Sequence, residues 1–193
     1  GYPEYFAKIL NACDLISISL RIDNETVDIN KCDIKDFVRE LNMKQGVLRR
    51  SFTLITKDSK EVKISSERFT SMDSKEVGAI QYSVEAVSDA IDVELDSILN
   101  GDVHNTDSNY DEYFWNKQSL TCGEAAANIT LSTKKTDMWV SSSMYSECYA
   151  AGEKLVHKCE QSDLTVKAKF ASTIKKGETL TLYKYFAVTT SMN

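Results

Sequence analysis

Apolar and polar residues alternate at period two through most of this chain, and that period belongs to β-strands, whose successive side chains point to opposite faces of a sheet. Ile16, Ile18, Leu20 and Ile22 face one way while Ser17, Ser19 and Arg21 face the other. Ile80, Tyr82, Val84 and Ala86 stand against Gln81, Ser83 and Glu85, and Ile91, Val93 and Leu95 against Asp92, Glu94 and Asp96. Leu164, Val166, Ala168 and Phe170 oppose Thr165, Lys167 and Lys169 in the same manner. Strands with one dry and one wet face pack as antiparallel sheets in sandwiches. Turn signals at Asp23-Asn24, Asp58-Ser59 and Lys176-Gly177 separate the strands by short connections, as hairpins and meanders require. The pattern predicts an all-β chain, a large antiparallel β-sandwich of two broad sheets. With one Pro, seven Gly and no low-complexity linker, residues 1–193 read as a single domain.

Two stretches depart from the alternation. Near the N-terminus, Pro3 suits the first position of a helix and Glu4 its positive end, while Phe6, Ile9, Leu10 and Cys13 share a helical face. After Asn100-Gly101 a polar loop follows, and Asp107 or Ser108 is placed to cap a helical turn over 108–116, beneath Tyr110, Phe114 and Trp115. Short helical turns are therefore expected at both places.

Composition narrows the function. Twenty-three Lys plus Arg against twenty-nine Asp plus Glu leave a net charge of −6, which argues against nucleic acid, because that binding needs clustered cations on the phosphates. No apolar run approaches the roughly eighteen residues that a membrane-crossing helix needs, and the first residues lack the stages of a signal peptide. Nine acidic residues and no Lys or Arg lie between Glu85 and Glu112, whereas nine basic and five acidic lie between Lys35 and Arg68. Solvated outer faces account for both runs, and a surface meeting a partner of opposite sign is the sharper alternative. Five cysteines without a C-x-x-C pair read most simply as reduced thiols in a cytoplasmic protein, with at least one unpaired in any scheme.

Catalytic patterns are missing. His104 and His157 stand alone, so no zinc site is expected. There is no G-x-S-x-G elbow, G-x-G-x-x-G turn or phosphate-cradling loop ending in Lys and Ser or Thr. Hydrolysis of a glycoside needs two carboxyl groups converging on a cleft. Asp92, Glu94 and Asp96 project in parallel from one strand, and Asp107, Asp111 and Glu112 lack an apolar surround that would keep one of them protonated.

Several stretches resemble the N-terminal domain of the glycoside phosphorylase family that includes maltose, kojibiose and trehalose phosphorylases, glycoside hydrolase family 65. They run from Gly1-Tyr2-Pro3-Glu4-Tyr5-Phe6-Ala7-Lys8 through Leu41-Asn42-Met43-Lys44 with Leu48 to Phe52, and Glu76-Val77-Gly78-Ala79-Ile80. Gly101-Asp102-Val103, Asp107-Ser108-Asn109-Tyr110-Asp111, Trp115, Lys134-Lys135-Thr136 and Tyr185-Phe186-Ala187-Val188-Thr189-Thr190-Ser191 complete the series in order. The resemblance implies a β-sandwich of super-sandwich type and a catalytic helical barrel that this chain lacks. In the family a glutamic acid of that barrel protonates the glycosidic oxygen while phosphate attacks the anomeric carbon with inversion. No catalytic residue, cofactor or metal is therefore expected here, with inorganic phosphate as the parent's co-substrate. The resemblance also implies strands ahead of the Gly1-Tyr2-Pro3-Glu4 stretch, so a chain starting at Gly1 is expected to be truncated there and to show an open sheet edge. The expected partners are the barrel of the parent chain and a second copy in a homodimer.

Tyr2, Glu4, Asp102, Asn105, Asp107, Asn109, Tyr110, Asp111 and Trp115 are the candidate substrate or interdomain contacts, because loops held by rigid strands carry function. An interface role is the main reading for them. A stand-alone carbohydrate-binding module stacking sugars on Tyr110, Tyr113 and Trp115, or the sandwich of another hydrolase or lyase, is the alternative.

Overall fold

The computed structural model describes residues 9–106, 112–123 and 126–192. The chain runs through β1 (Ile18–Ile22), β2 (Glu25–Thr26), β3 (Asp33–Asn42), β4 (Val47–Ile55), β5 (Glu61–Thr70), β6 (Val77–Ala86) and β7 (Ile91–Asn100). It continues through β8 (Trp115–Cys122), β9 (Ala126–Thr133), β10 (Trp139–Ala150), β11 (Glu153–Lys154), β12 (Lys158–Gln161), β13 (Thr165–Ile174) and β14 (Thr179–Thr190). One sheet has the order β3-β4-β5-β6-β14-β10-β9-β8, with β11 on β10, and the other has β12-β13-β7-β1-β2. All pairings are antiparallel. The expected two-layer all-β sandwich is what the chain forms.

The alternation read from the sequence sorts the core. Ile80, Tyr82, Val84 and Ala86 of β6, Ile91, Val93 and Leu95 of β7, and Val166, Ala168 and Phe170 of β13 are buried between the layers. Each fully buried aliphatic or aromatic side chain there stabilises the fold by about 1.5–3 kcal/mol. The turn between β1 and β2 uses Asp23 (φ 49°) and Asn24 (φ 65°), two of the few residue types that tolerate the left-handed region.

The expected helical turns are a correction where the structure speaks to them. Residues 1–8 and 107–111 lie outside the described residues, so Pro3, Glu4 and Phe6 stay untested. Beyond them, residues 9–13 and 112–114 have no regular structure, and Trp115 opens β8 opposite Thr133. Tertiary pairing wins in both places. Asp14 bridges to Asn100, drawing Cys13 inside while Ile9 stays 93% exposed, which no shared helical face would do.

The layers meet unequally. β7 and β13 lie against β9, β10 and β14, while Arg39 of β3 and the Arg50 and Arg68 ends of β4 and β5 border an open cleft between the layers. At the closed flank, Cys122 of β8 and Cys159 of β12 form a disulfide with Cα atoms 6.3 Å apart. That revises the expectation of five reduced thiols. Cys13, Cys32 and Cys148 are free, and burial pushes the thiols of Cys13 and Cys148 up to about 11 and about 12. Lys184 of β14, fully buried, donates from Nζ to the carbonyl oxygens of Ser17 (3.0 Å) and Ile98 (2.6 Å). Burial pulls its ammonium down to about 8, against the pull of Asp14.

Candidate functional site

Residues 101–106 and Trp115 are built against the segment 9–11. Asn105, only 9% exposed, donates from Nδ2 to the Ile9 carbonyl at 2.8 Å and accepts the Asn11 N–H at 3.0 Å. Asn11 in turn donates from Nδ2 to the His104 carbonyl at 3.0 Å, and the Trp115 indole N–H donates to the Asn11 carbonyl at 2.8 Å. Two buried side chains thus satisfy the backbone of a segment that belongs to no strand, which is what buried polar groups must achieve. Gly101 seats the loop's start. A Cβ there would lie 3.2 Å from Ile129 Cγ2 and 3.3 Å from Cys13 Sγ.

Asp102 is exposed beside His104, with Oδ1 3.5 Å from Nε2. The Tyr113 hydroxyl donates to the Gly101 carbonyl at 3.2 Å, its ring lies 5.2 Å from that of His104, and Lys134 Nζ sits over it at 5.2 Å. Burial raises the Tyr113 phenol, helped by the charges of Asp102, Cys13 and Asp163. Of the residues singled out from the sequence, Asp102, Asn105 and Trp115 share this loop. Tyr2, Glu4, Asp107, Asn109, Tyr110 and Asp111 lie outside the described residues. Trp115 is 5% exposed, so its indole offers no open face for a sugar to stack on. Asn11 was missed because its partners are 94 and 104 residues away along the chain, a separation that no local pattern reports.

The chemistry available to the described carboxylates is limited. Glu94 pairs with Arg21 at 3.1 Å and Asp92 accepts the Thr173 hydroxyl at 2.6 Å. Asp96 is half-buried, and burial raises its carboxyl while Lys169 and Lys167 oppose that, but it sits on the outer face of β7 and not in a cleft. A concavity of about 310 Å³ is lined by Asp23, Glu25, Asp33 and Asp58. There Lys60 holds Asp23 at 2.7 Å and Lys57 holds Glu25 at 2.5 Å. Partial burial of Asp23 is outweighed by Lys60 and the Asp92 N–H, which leave its carboxyl below its usual range. Asp23 is thus held ionised, the wrong state for protonating a leaving oxygen, and Glu25 is engaged by Lys57.

The model of the family "Glycosyl hydrolase family 65, N-terminal domain" matches residues 1–193. The chain is 41% identical to maltose phosphorylase of Bacillus subtilis (strain 168) over 133 residues, covering 69% of this chain and 17% of the relative. It is 35% identical to kojibiose phosphorylase of Thermoanaerobacter brockii over 101 residues, 51% of this chain and 13% of that protein. A solved human-microbiome protein assigned as a kojibiose phosphorylase superposes with a TM-score of 0.83 at 21% identity, over 95% of this chain and 23% of its own. The chain therefore spans less than a quarter of any of these three relatives. Two layers of antiparallel strands, a loop pinned by Asn105 and Trp115, and a family match from end to end agree: this chain belongs to glycosyl hydrolase family 65, as its N-terminal domain.

Proposed function

We propose that residues 1–193 are the non-catalytic N-terminal β-sandwich of a cytoplasmic disaccharide phosphorylase. The parent splits an α-glucosyl disaccharide such as maltose with inorganic phosphate, giving β-glucose 1-phosphate and glucose, and it uses no metal or organic cofactor. The identity of 41% to maltose phosphorylase carries this reading of the parent. The carboxylates described above, engaged by Arg21, Thr173, Lys57 and Lys60 or set on an outer strand face, support the non-catalytic role of the domain, because the reaction needs an acid placed in a cleft to give its proton to the glycosidic oxygen. The domain braces the catalytic barrel and takes part in a homodimer, with the 101–115 loop as a contact. Asn105 and Trp115 are anchored on segment 9–11, and the exposed Asp102 beside them is available to such a contact.

The test is an assay of glucose 1-phosphate release from maltose, kojibiose and trehalose with phosphate present and absent. The full-length parent is expected to release it only with phosphate, and residues 1–193 to release none. Release by the 193-residue chain would overturn the non-catalytic assignment, and an inert parent would overturn the phosphorylase reading.

A further inference from the structure

A concavity of about 800 Å³ opens between the layers, beside β3 and the ends of β4 and β5 that carry Arg50 and Arg68. Its floor is the inner face of those strands. Inner positions that begin as Leu54 and Phe52 on β4 and Val62 and Ile64 on β5 become Arg50 and Leu48, and Ser66 and Arg68, farther along. Arg39 of β3 stands directly opposite Arg50, and Arg68 lies on the next strand, opposite Leu48. Three guanidinium groups therefore share one patch of one sheet face, where like charges set directly opposite each other are destabilising.

Among the described residues no carboxylate answers them. Arg50 lies 5.8 Å from the Phe52 ring centroid, and none of the three arginines is in an ion pair among the described residues. The two acids of the facing wall are committed elsewhere. Asp14 accepts the N–H groups of Ile16 and Ser17 and the Ser17 hydroxyl, and Asp28 pairs with Lys31 at 3.2 Å.

The same wall has an unpaired edge. β2 covers β1 only at Arg21 and Ile22, and the Leu20 carbonyl accepts Val27 N–H at 2.9 Å. Strand alternation sends the backbone N–H and C=O of Ile18 to that side as well, and among the described residues no strand lies there. Ile18 and Ser19 line the cleft. A strand added at this edge would run directly over Arg39, Arg50 and Arg68.

We propose that this cleft receives an extended, acidic segment of the parent polypeptide from outside residues 1–193, which pairs by its backbone with the edge of β1 and by its carboxylates with Arg39, Arg50 and Arg68. This rests on the reading of the chain as one domain of a longer phosphorylase. The relatives supply the length, since this chain spans 17% of maltose phosphorylase. Strand addition gives such a segment its affinity, and the arginines give it its sign. The acidic run of the chain itself is a poor occupant from a second copy, because Asp92 and Glu94 are already held by Thr173 and Arg21.

The test compares the full-length parent with the 193-residue chain by phenylglyoxal modification, read by mass spectrometry at each arginine. Arg49 is the internal reference, since it faces away from the cleft on β4 and is held by Glu67 at 2.6 Å. In the parent, Arg50 and Arg68 are expected to react roughly tenfold more slowly relative to Arg49 than in the 193-residue chain, and the Ile18 amide to exchange more slowly. Equal rates in the two proteins overturn the proposal. Equal protection of the 193-residue chain by millimolar inorganic phosphate would make this a free-anion site and overturn the segment. Protection that grows with the concentration of that chain would seat a second copy there instead. Should the 193-residue chain not fold alone, Arg50 and Arg68 reacting as fast as Arg49 in the native parent overturn the proposal by themselves. Phosphorolysis by a parent with reactive arginines sinks the docking alone, and protected arginines in a parent without phosphorolysis sink the catalytic reading alone.

Discussion

The two flanks of the sandwich are built on opposite principles. At the β8 and β12 flank the layers are tied by the disulfide between Cys122 and Cys159, and Lys117 donates to the Asp163 carbonyl at 3.0 Å and to its carboxylate. At the β2 and β3 flank the described ties are ion pairs beside the β4–β5 turn, Lys57 to Glu25 at 2.5 Å and Lys60 to Asp23 at 2.7 Å, and beyond them the layers part. There Phe37, Val38 and Leu41 of β3 are 49%, 56% and 61% exposed, and the inner face carries arginine. The difference shows that strand alternation sets which side chains face inward, while the reach of the second sheet decides whether inward means dry.

The largest expected effect sharpens that contrast. Phe170→Ala, beneath the covered half and 2% exposed, is expected to destabilise the chain by about 3–5 kcal/mol, through lost transfer energy and the cavity left behind. Leu41→Ala on the open flank is expected to stay within about 0.5 kcal/mol. Urea unfolding of the 193-residue chain measures both, and a comparable loss at Leu41 would mean that the open flank is covered. Reducing the disulfide comes next. Its cysteines are 37 residues apart in sequence, so cutting the link is expected to cost about 3–4 kcal/mol by loop-closure entropy. A midpoint unmoved by reductant would break the picture of a tied flank.

Lys184 lies where the interior passes from dry to cationic, on the inner row with Arg68 and Ile80. Its folded pKa of about 8 lies below the ordinary 10.5, so the unfolded chain binds more protons between those values and stability rises with pH across that window. Below about pH 8 the full cost of the buried charge is present, and it is relieved as the pH climbs toward 10.5. Lys184→Met is expected to flatten this rise and to stabilise the chain near neutral pH by on the order of 2 kcal/mol, net of the two lost hydrogen bonds. The difference between the two proteins across pH 7 to 10.5 isolates this group from other titrations, and parallel curves would show that the carbonyls of Ser17 and Ile98 hold the ammonium charged throughout.

Much of the covered half was legible in the sequence. Ile80 through Ala86 and Leu164 through Phe170 alternate in the chain as they do in the core, because burial on one face of a strand writes itself at period two. The open flank was not. Arg50 and Arg68 occupy inward positions, yet an arginine in an alternating strand looks outward-facing until the facing layer is known to stop short. The site was half legible. Asp102, Asn105 and Trp115 were marked by residue type in a polar loop, but their use depends on Asn11, and the helical turns fell to pairing between residues roughly a hundred positions apart.

The loop pinned on segment 9–11 allows the finest test of what polar burial contributes away from both flanks. Trp115→Phe keeps the ring and removes one donor, leaving the Asn11 carbonyl without the indole, and is expected to cost about 1 kcal/mol. Asn105→Ala removes two partners at once and exposes the Ile9 carbonyl and the Asn11 N–H to whatever water reaches them, so about 1–3 kcal/mol is expected. The two act on one segment, so the double variant should cost less than the sum, because the first loss already frees the segment that the second would release. Thermal unfolding of the single and double variants measures the coupling. Strict additivity would mean that Asn105 and Trp115 grip independent pieces of chain, and that the loop has two anchors instead of one.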